Sequence, residues 1–187
     1  MTAFEQDVTE KTQAWLKSVV IGLNFCPFAK PVFERNQIHY QVSTARALED
    51  CLKDLIDEAV RLDGELAIET SLLVFPDALE SFDDFLDALE IGDELMVAQG
   101  YEGVYQLASF HPDYCFSDSD EEDAANYTNR SPFPMLHLIR ESSIEMALEH
   151  YTKDADLIPE TNVQLARKLG LEKMQALLAD SLLDHSK

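Results

Sequence analysis

QIHYQVS (37–43), AIETSLLVF (67–75) and VYQLASF (104–110) are the stretches on which the fold turns. The first alternates and is β-prone, the other two are short apolar runs, and each reads as a strand. Between the first two, Leu48, Leu52, Leu55 and Ala59 recur at helical spacing, with Ser43 or Thr44 placed to cap the helix. Between the second and third, Pro76-Asp77 ends the strand. Asp77 with Glu80 caps a helix whose Leu79, Phe82, Leu86 and Leu89 share one face before Gly100. Strand, helix, strand, helix, strand, without a short hairpin, predicts right-handed crossovers. The expected fold is a single α/β domain over 1–187, with helices packed on a small, mainly parallel sheet. A ferredoxin-like α+β sandwich is the alternative topology.

Working outward, Thr2 and Glu5 form a capping box, and Phe4, Val8, Trp15, Val19 and Leu23 predict a helix from Ala3 to Leu23, stopped by Asn24-Phe25-Cys26-Pro27. Beyond the third strand, residues 113–131 form an acidic irregular loop, and so long a loop with so little apolar surface is expected to act as a mobile lid. Ser131 as cap and Pro132 as first residue predict a helix to about Tyr151. Pro159 and Gly170 then punctuate terminal helices over 159–187.

The chain has 187 residues, 46% of them hydrophobic, enough for one core of ordinary size. Its 14 Lys and Arg face 36 Asp and Glu, a formal net charge of -22, which repels phosphate backbones and anionic headgroups. Neither nucleic acid nor a membrane surface is an expected partner. Cys26, Cys51 and Cys115 are too few for a disulfide scaffold, and the acidic N-terminus lacks the basic start of a secretory signal, so a soluble, cytoplasmic protein is expected.

Cys26 precedes Pro27, which places its thiol at a helix start with Lys30 one turn on, an arrangement that lowers a thiol pKa. A buried, inert cysteine is the competing reading. His111 closes the third strand, at the sheet edge where open α/β folds bind ligands, although Pro112 could make it a turn residue only. His111, Asp113 and Cys115 alternate along an extended segment and could ligate a metal with further help. Asn129, Arg130 and Ser131 at a helix start suit a carboxylate or phosphate, or else Arg130 bridges to the acidic loop. On the helix expected next, His137, Arg140 and Glu141 share one face.

GLNFCPFAKPV (22–32), LASFHPDY (107–114) and NYTNRSPFPMLHLIRE (126–141) resemble the domain-of-unknown-function family 1415, from about Trp15 to about Gly170. Cys26-Pro27-Phe28, His111-Pro112, Asn129 to Pro132, His137 and Arg140-Glu141 match that pattern. Cys115 departs from it where the family has glutamine. The resemblance implies a shared site and names neither chemistry nor cofactor. Three functions follow from the residues. The first is an enzyme for a small anionic substrate, with Cys26 as nucleophile, His111 or His137 as base, and Arg130 with the Ser131 amide holding the anion. The second is a metal-binding protein using Cys26, His111, Asp113 and His137. The third is a protein-interaction module.

Overall fold

The capping box forms as the sequence prescribes: Thr2 Oγ1 accepts from the Glu5 amide at 3.2 Å, and Glu5 Oε2 accepts from the Thr2 amide at 2.7 Å. The computed structural model of the chain describes residues 1–183, so the last four residues of the expected terminal segment, 184–187, lie outside the described residues. Helix α1 (Ala3–Trp15) continues as a π-helical stretch, Leu16–Ile21, so the expected single helix changes pitch halfway. Gly22 closes it. A Cβ there would lie 2.3 Å from the Ser18 carbonyl oxygen, which explains the glycine where the chain turns toward Cys26.

A short α2 (Ala29–Glu34) leads into β1 (Ile38–Val42), α3 (Leu48–Gly64), β2 (Thr70–Val74), α4 (Phe82–Ala98) and β3 (Tyr105–Phe110). These five main elements agree with the sequence reading, but the caps differ. Ser43 Oγ accepts from the Ala45 amide at 2.9 Å and donates to Asp54 Oδ2 at 2.6 Å, forming a turn ahead of α3 instead of its cap. Ser81, not Asp77, caps α4, and Asp77 pairs with Arg46 at 3.2 Å.

The largest departure is β4 (Met135–Arg140), which occupies the start of the helix expected from Pro132. Only Glu141–Glu149 of that helix forms, as α5. The sheet order is β1-β2-β4-β3, with β1 parallel to β2 and β4 antiparallel to both its neighbours. Helices α3 and α4 do carry β1, β2 and β3 in one direction, as the crossovers require. The expectation of a mainly parallel sheet fails because β4 slides between β2 and β3 and pairs with each in the opposite sense. Nor is the order that of a ferredoxin-like sandwich.

Alternation along the strands sorts the core into two layers. On one side Leu72, Val74 and Met135 pack with Trp15, Val19 and Val20 from the first helix, and with Ala166 of α6 (Ile158–Leu169) and Met174 of α7 (Leu171–Ser181). On the other, Leu73, Leu136 and Leu138 meet Leu55, Ala59 and Leu62 of α3 and Phe85 of α4. Gly92 lets α4 approach α3, since a Cβ there would lie 3.0 Å from Leu55 Cδ2. No helix among the described residues is long and apolar enough to cross a membrane.

Leu138 is 0% exposed at the centre of the sheet, so Leu138→Ala should cost about 2–5 kcal/mol in denaturant unfolding. Gln106→Ala, on the exposed edge of β3, should change stability by less than about 0.5 kcal/mol.

Candidate functional site

Strands β1, β2 and β3 all end at the sheet edge where β4 begins, so three loops meet there. Backbone hydrogen bonds join them: Ser43 N to Val74 O at 2.8 Å, Phe75 N to Pro134 O at 2.9 Å, and His111 N to Asn129 O at 3.2 Å. His111 is the post of this edge. A carbonyl can only accept, so Nε2 donates to Leu79 O at 3.0 Å, while Nδ1 accepts from the Asp113 amide at 3.0 Å. The ring is 0% exposed, packs against Phe82 and Phe85 at 5.2 and 5.1 Å, and has its pKa lowered by burial. It is a neutral imidazole with both nitrogens in use, and it fixes the loop at Leu79, where φ is +58°.

Arg130 is engaged in the same way. Its Nε donates to Tyr114 O and its Nη2 to Glu121 O, both at 3.0 Å, and the guanidinium lies 4.7 Å from the centre of the Tyr127 ring. Its own carbonyl accepts from Trp15 Nε1 at 3.0 Å. Asn126, fully buried, accepts from the Phe116 amide at 3.1 Å and donates to Asp120 O at 2.8 Å. Ala124, Ala125 and Tyr127 are buried with it in a 3₁₀ turn, Ala124–Thr128. Asp123, which caps that turn, accepts two close hydrogen bonds from Arg167 of α6, and this guanidinium holds its carboxyl well below the usual range. The segment 113–131 is thus anchored by polar side chains and by a buried turn. The expectation of a mobile lid, argued from apolar content alone, left these polar contacts out.

Ser131 is buried and its hydroxyl donates to Phe133 O at 2.6 Å, so with β4 in place of a helix it caps nothing. On β4, His137 and Arg140 face opposite sides of the sheet. Arg140 donates to Ile68 O at 3.0 Å, to Leu62 O and to Tyr105 Oη at 3.2 Å, closing the end of α3. Glu141 opens α5, its amide donating to Val104 O. Thr70 spends its only hydroxyl proton on Leu138 O at 2.6 Å, so His137 Nε2 donates to Thr70 Oγ1 at 2.6 Å. Burial lowers the His137 pKa to about 4.

Cys26 lies half-buried against a cleft of about 390 Å³. Its apolar wall is Val20, Phe25, Phe110, Phe116, Pro159 and Val163, and its polar groups are Cys26, Thr128, Asn129 and Asn162. Burial pushes the thiol pKa up, against the hydrogen bonds that the Phe28 and Ala29 amides direct at the sulfur, so the expected lowering is not found. Lys30 gives no help, being exposed and 3.8 Å from Glu34. Among the sequence-predicted site residues, Cys26 and Asn129 line this cleft, whereas His111, Arg130, Ser131, His137, Arg140 and Glu141 do not. Among the described residues, no three His, Cys, Asp or Glu side chains are grouped to hold a metal ion.

The three stretches that carry the resemblance therefore meet around one edge of one sheet. A family model described as a protein of unknown function (DUF1415) matches residues 7–176. The chain belongs to this family. No curated protein and no solved structure matches it.

In this DUF1415 protein the sequence reading missed Asn162, whose amide nitrogen donates to Phe25 O at 2.6 Å and so ties α6 to the Cys26 turn. A single asparagine in a polar helix gives no local signal. It also missed a buried carboxylate on the far face of the sheet. Glu58, 1% exposed, accepts from Ser71 Oγ at 2.6 Å and from Arg61 Nε at 3.0 Å, with His39 Nε2 at 3.7 Å. Ser71 is fully buried and its proton points to Glu58, so the trio supports the fold and offers no nucleophile.

Arg130→Lys should lower stability by about 1–3 kcal/mol in thermal unfolding, because an ammonium cannot serve both carbonyls and the Tyr127 face. A second consequence concerns pH. The folded His137 pKa, near 4, is below the unfolded value of about 6.5, so its contribution is complete above pH 6.5 and is lost as pH falls toward 4. His137→Gln should remove about one proton from the slope of stability against pH in that window.

Proposed function

We propose that the protein binds a small molecule in the cleft between the Cys26 turn, the end of β3 and α6, and that the Cys26 thiol is the group that reacts with it. The observation that carries this reading is the convergence on one cavity of Phe25 and Cys26, Phe110, and Thr128 and Asn129, from three separate motifs, completed by Asn162. A volume of about 390 Å³ falls within the range of small-molecule sites, and a mainly apolar wall with a few polar groups is their usual composition. Of the residues first considered as nucleophile and bases, Cys26 alone lines the space. A thiol is a weak nucleophile until it loses its proton. The Phe28 and Ala29 amides would stabilise the thiolate once the proton leaves, while burial keeps the resting group a thiol.

Native alkylation with iodoacetamide, followed by peptide mass as a function of pH, tests the reading. Cys26 should react in the folded protein, slowly at neutral pH and with a midpoint above that of a free thiol because burial raises its pKa, and Cys26→Ser should abolish that adduct while keeping the fold. Cys51, buried in α3 with its pKa pushed up to about 11 by burial and by Asp54 and Asp50, should react only after denaturation. A Cys26 equally silent until denaturation would show that the cleft is closed to reagents and would sink the proposal.

A further inference from the structure

We infer, on the reading of the cleft just given, that its ligand is uncharged and presents a carboxamide-type edge, a hydrogen-bond donor beside an acceptor, on a flat apolar body. Among the described residues, no lysine, arginine, aspartate or glutamate lines the cleft. The two cations nearest in sequence to its motifs are committed elsewhere, Lys30 beside Glu34 and Arg130 on the Tyr114 and Glu121 carbonyls. An anion would have to shed water into an apolar wall, inside a chain of net charge -22, with no cation to meet it. A cation would find no carboxylate.

Asn162 Nδ2 faces the Phe25 carbonyl at 2.6 Å, a contact that only the nitrogen end of the amide can make, so the orientation of the group is fixed. Its Oδ1 is left as an acceptor with no partner among the described residues. Asn129 is oriented by its nitrogen, since Nδ2 faces the Ser109 carbonyl at a long 3.5 Å and keeps a second proton, while Oδ1 lies 3.0 Å from Thr128 Oγ1, whose one proton it shares with Ala125 O at 2.9 Å. Two residues that line the same space thus carry, between them, an unmatched acceptor and a spare donor proton, beside the Thr128 hydroxyl. Their complement is a group with an N–H next to a C=O, as in a primary or secondary carboxamide or a lactam. Phe25, Phe110 and Phe116 supply the wall for a planar ring.

The test uses three matched probes on the full chain, benzamide, benzoate and benzylamine, each scored by ligand-observed NMR and by its ability to slow alkylation of Cys26. Benzamide should bind about tenfold or more tightly than either charged probe, the factor expected when a buried polar partner is matched and not left unpaired. Asn129→Ala, which loses the donor without touching the Phe25 contact, should erase most of that preference. Tighter binding of benzoate or benzylamine overturns the inference while leaving the cleft reading intact. So does equal, weak binding of all three probes in a protein whose Cys26 is freely alkylated. A native Cys26 that no reagent reaches would instead count against the cleft itself.

Discussion

The insertion of β4 between β2 and β3 is the constraint on which the rest of this structure depends. The two crossovers through α3 and α4 deliver three strands pointing the same way, which leaves β2 and β3 each with an open row of amides and carbonyls. Residues Met135–Arg140 satisfy both rows at once, and their side chains fill both layers of core: Met135 below Trp15's layer, Leu136 and Leu138 under α3 and α4. Because β4 must enter the sheet at the edge where its neighbours end, the chain from His111 to Pro134 is obliged to fold up on that edge. The cleft is a by-product of that obligation.

A long acidic connection cannot be held by apolar burial alone, and here polar side chains bonded to its backbone hold it. His111, Asn126 and Arg130 each satisfy two or more backbone groups, and for His111 and Asn126 every polar side-chain atom is matched inside the protein. An imidazole with both nitrogens engaged and flanked by two phenyl rings gains nothing from a charge. This separates two roles that histidine and arginine residues near a sheet edge can play: the same positions that suggest catalysis are here the fasteners that shape the wall.

The cleft that results has a different character from the protein around it. Its surroundings are strongly acidic, while its lining is neutral, aromatic and thiol-bearing. On the reading proposed above, such a contrast suits uncharged ligands, since the wall offers nothing to replace the hydration of an ion. At Cys26, two effects oppose each other. The amides of the turn favour the thiolate, and burial disfavours it more.

Local chemistry determined much of this protein in the sequence itself. The Thr2–Glu5 box, the Leu55 and Ala59 stripe of α3 and the three strands ending at Val42, Val74 and Phe110 need only neighbours a few residues away, so their signals are complete in a short window. The family was legible for the same reason, through contiguous motifs. Met135–Arg140 was not: six largely apolar residues after Ser131-Pro132 satisfy a helix start as well as a strand, and the two open sheet edges that decide between them lie about 30 and 60 residues back along the chain. With that strand misread, His137 and Arg140 were placed on one helix face when they stand on opposite faces of the sheet. Two of the residues that line the candidate cleft stood out in the sequence. Cys26 and Asn129 do share a cavity, but the use of His111 and Arg130 as fasteners, the arrival of Asn162 from α6 and the rise in the Cys26 pKa all depend on what surrounds each group in space. Only tertiary structure decides that, because burial and hydrogen-bond partners are properties of the packed chain and not of the residue.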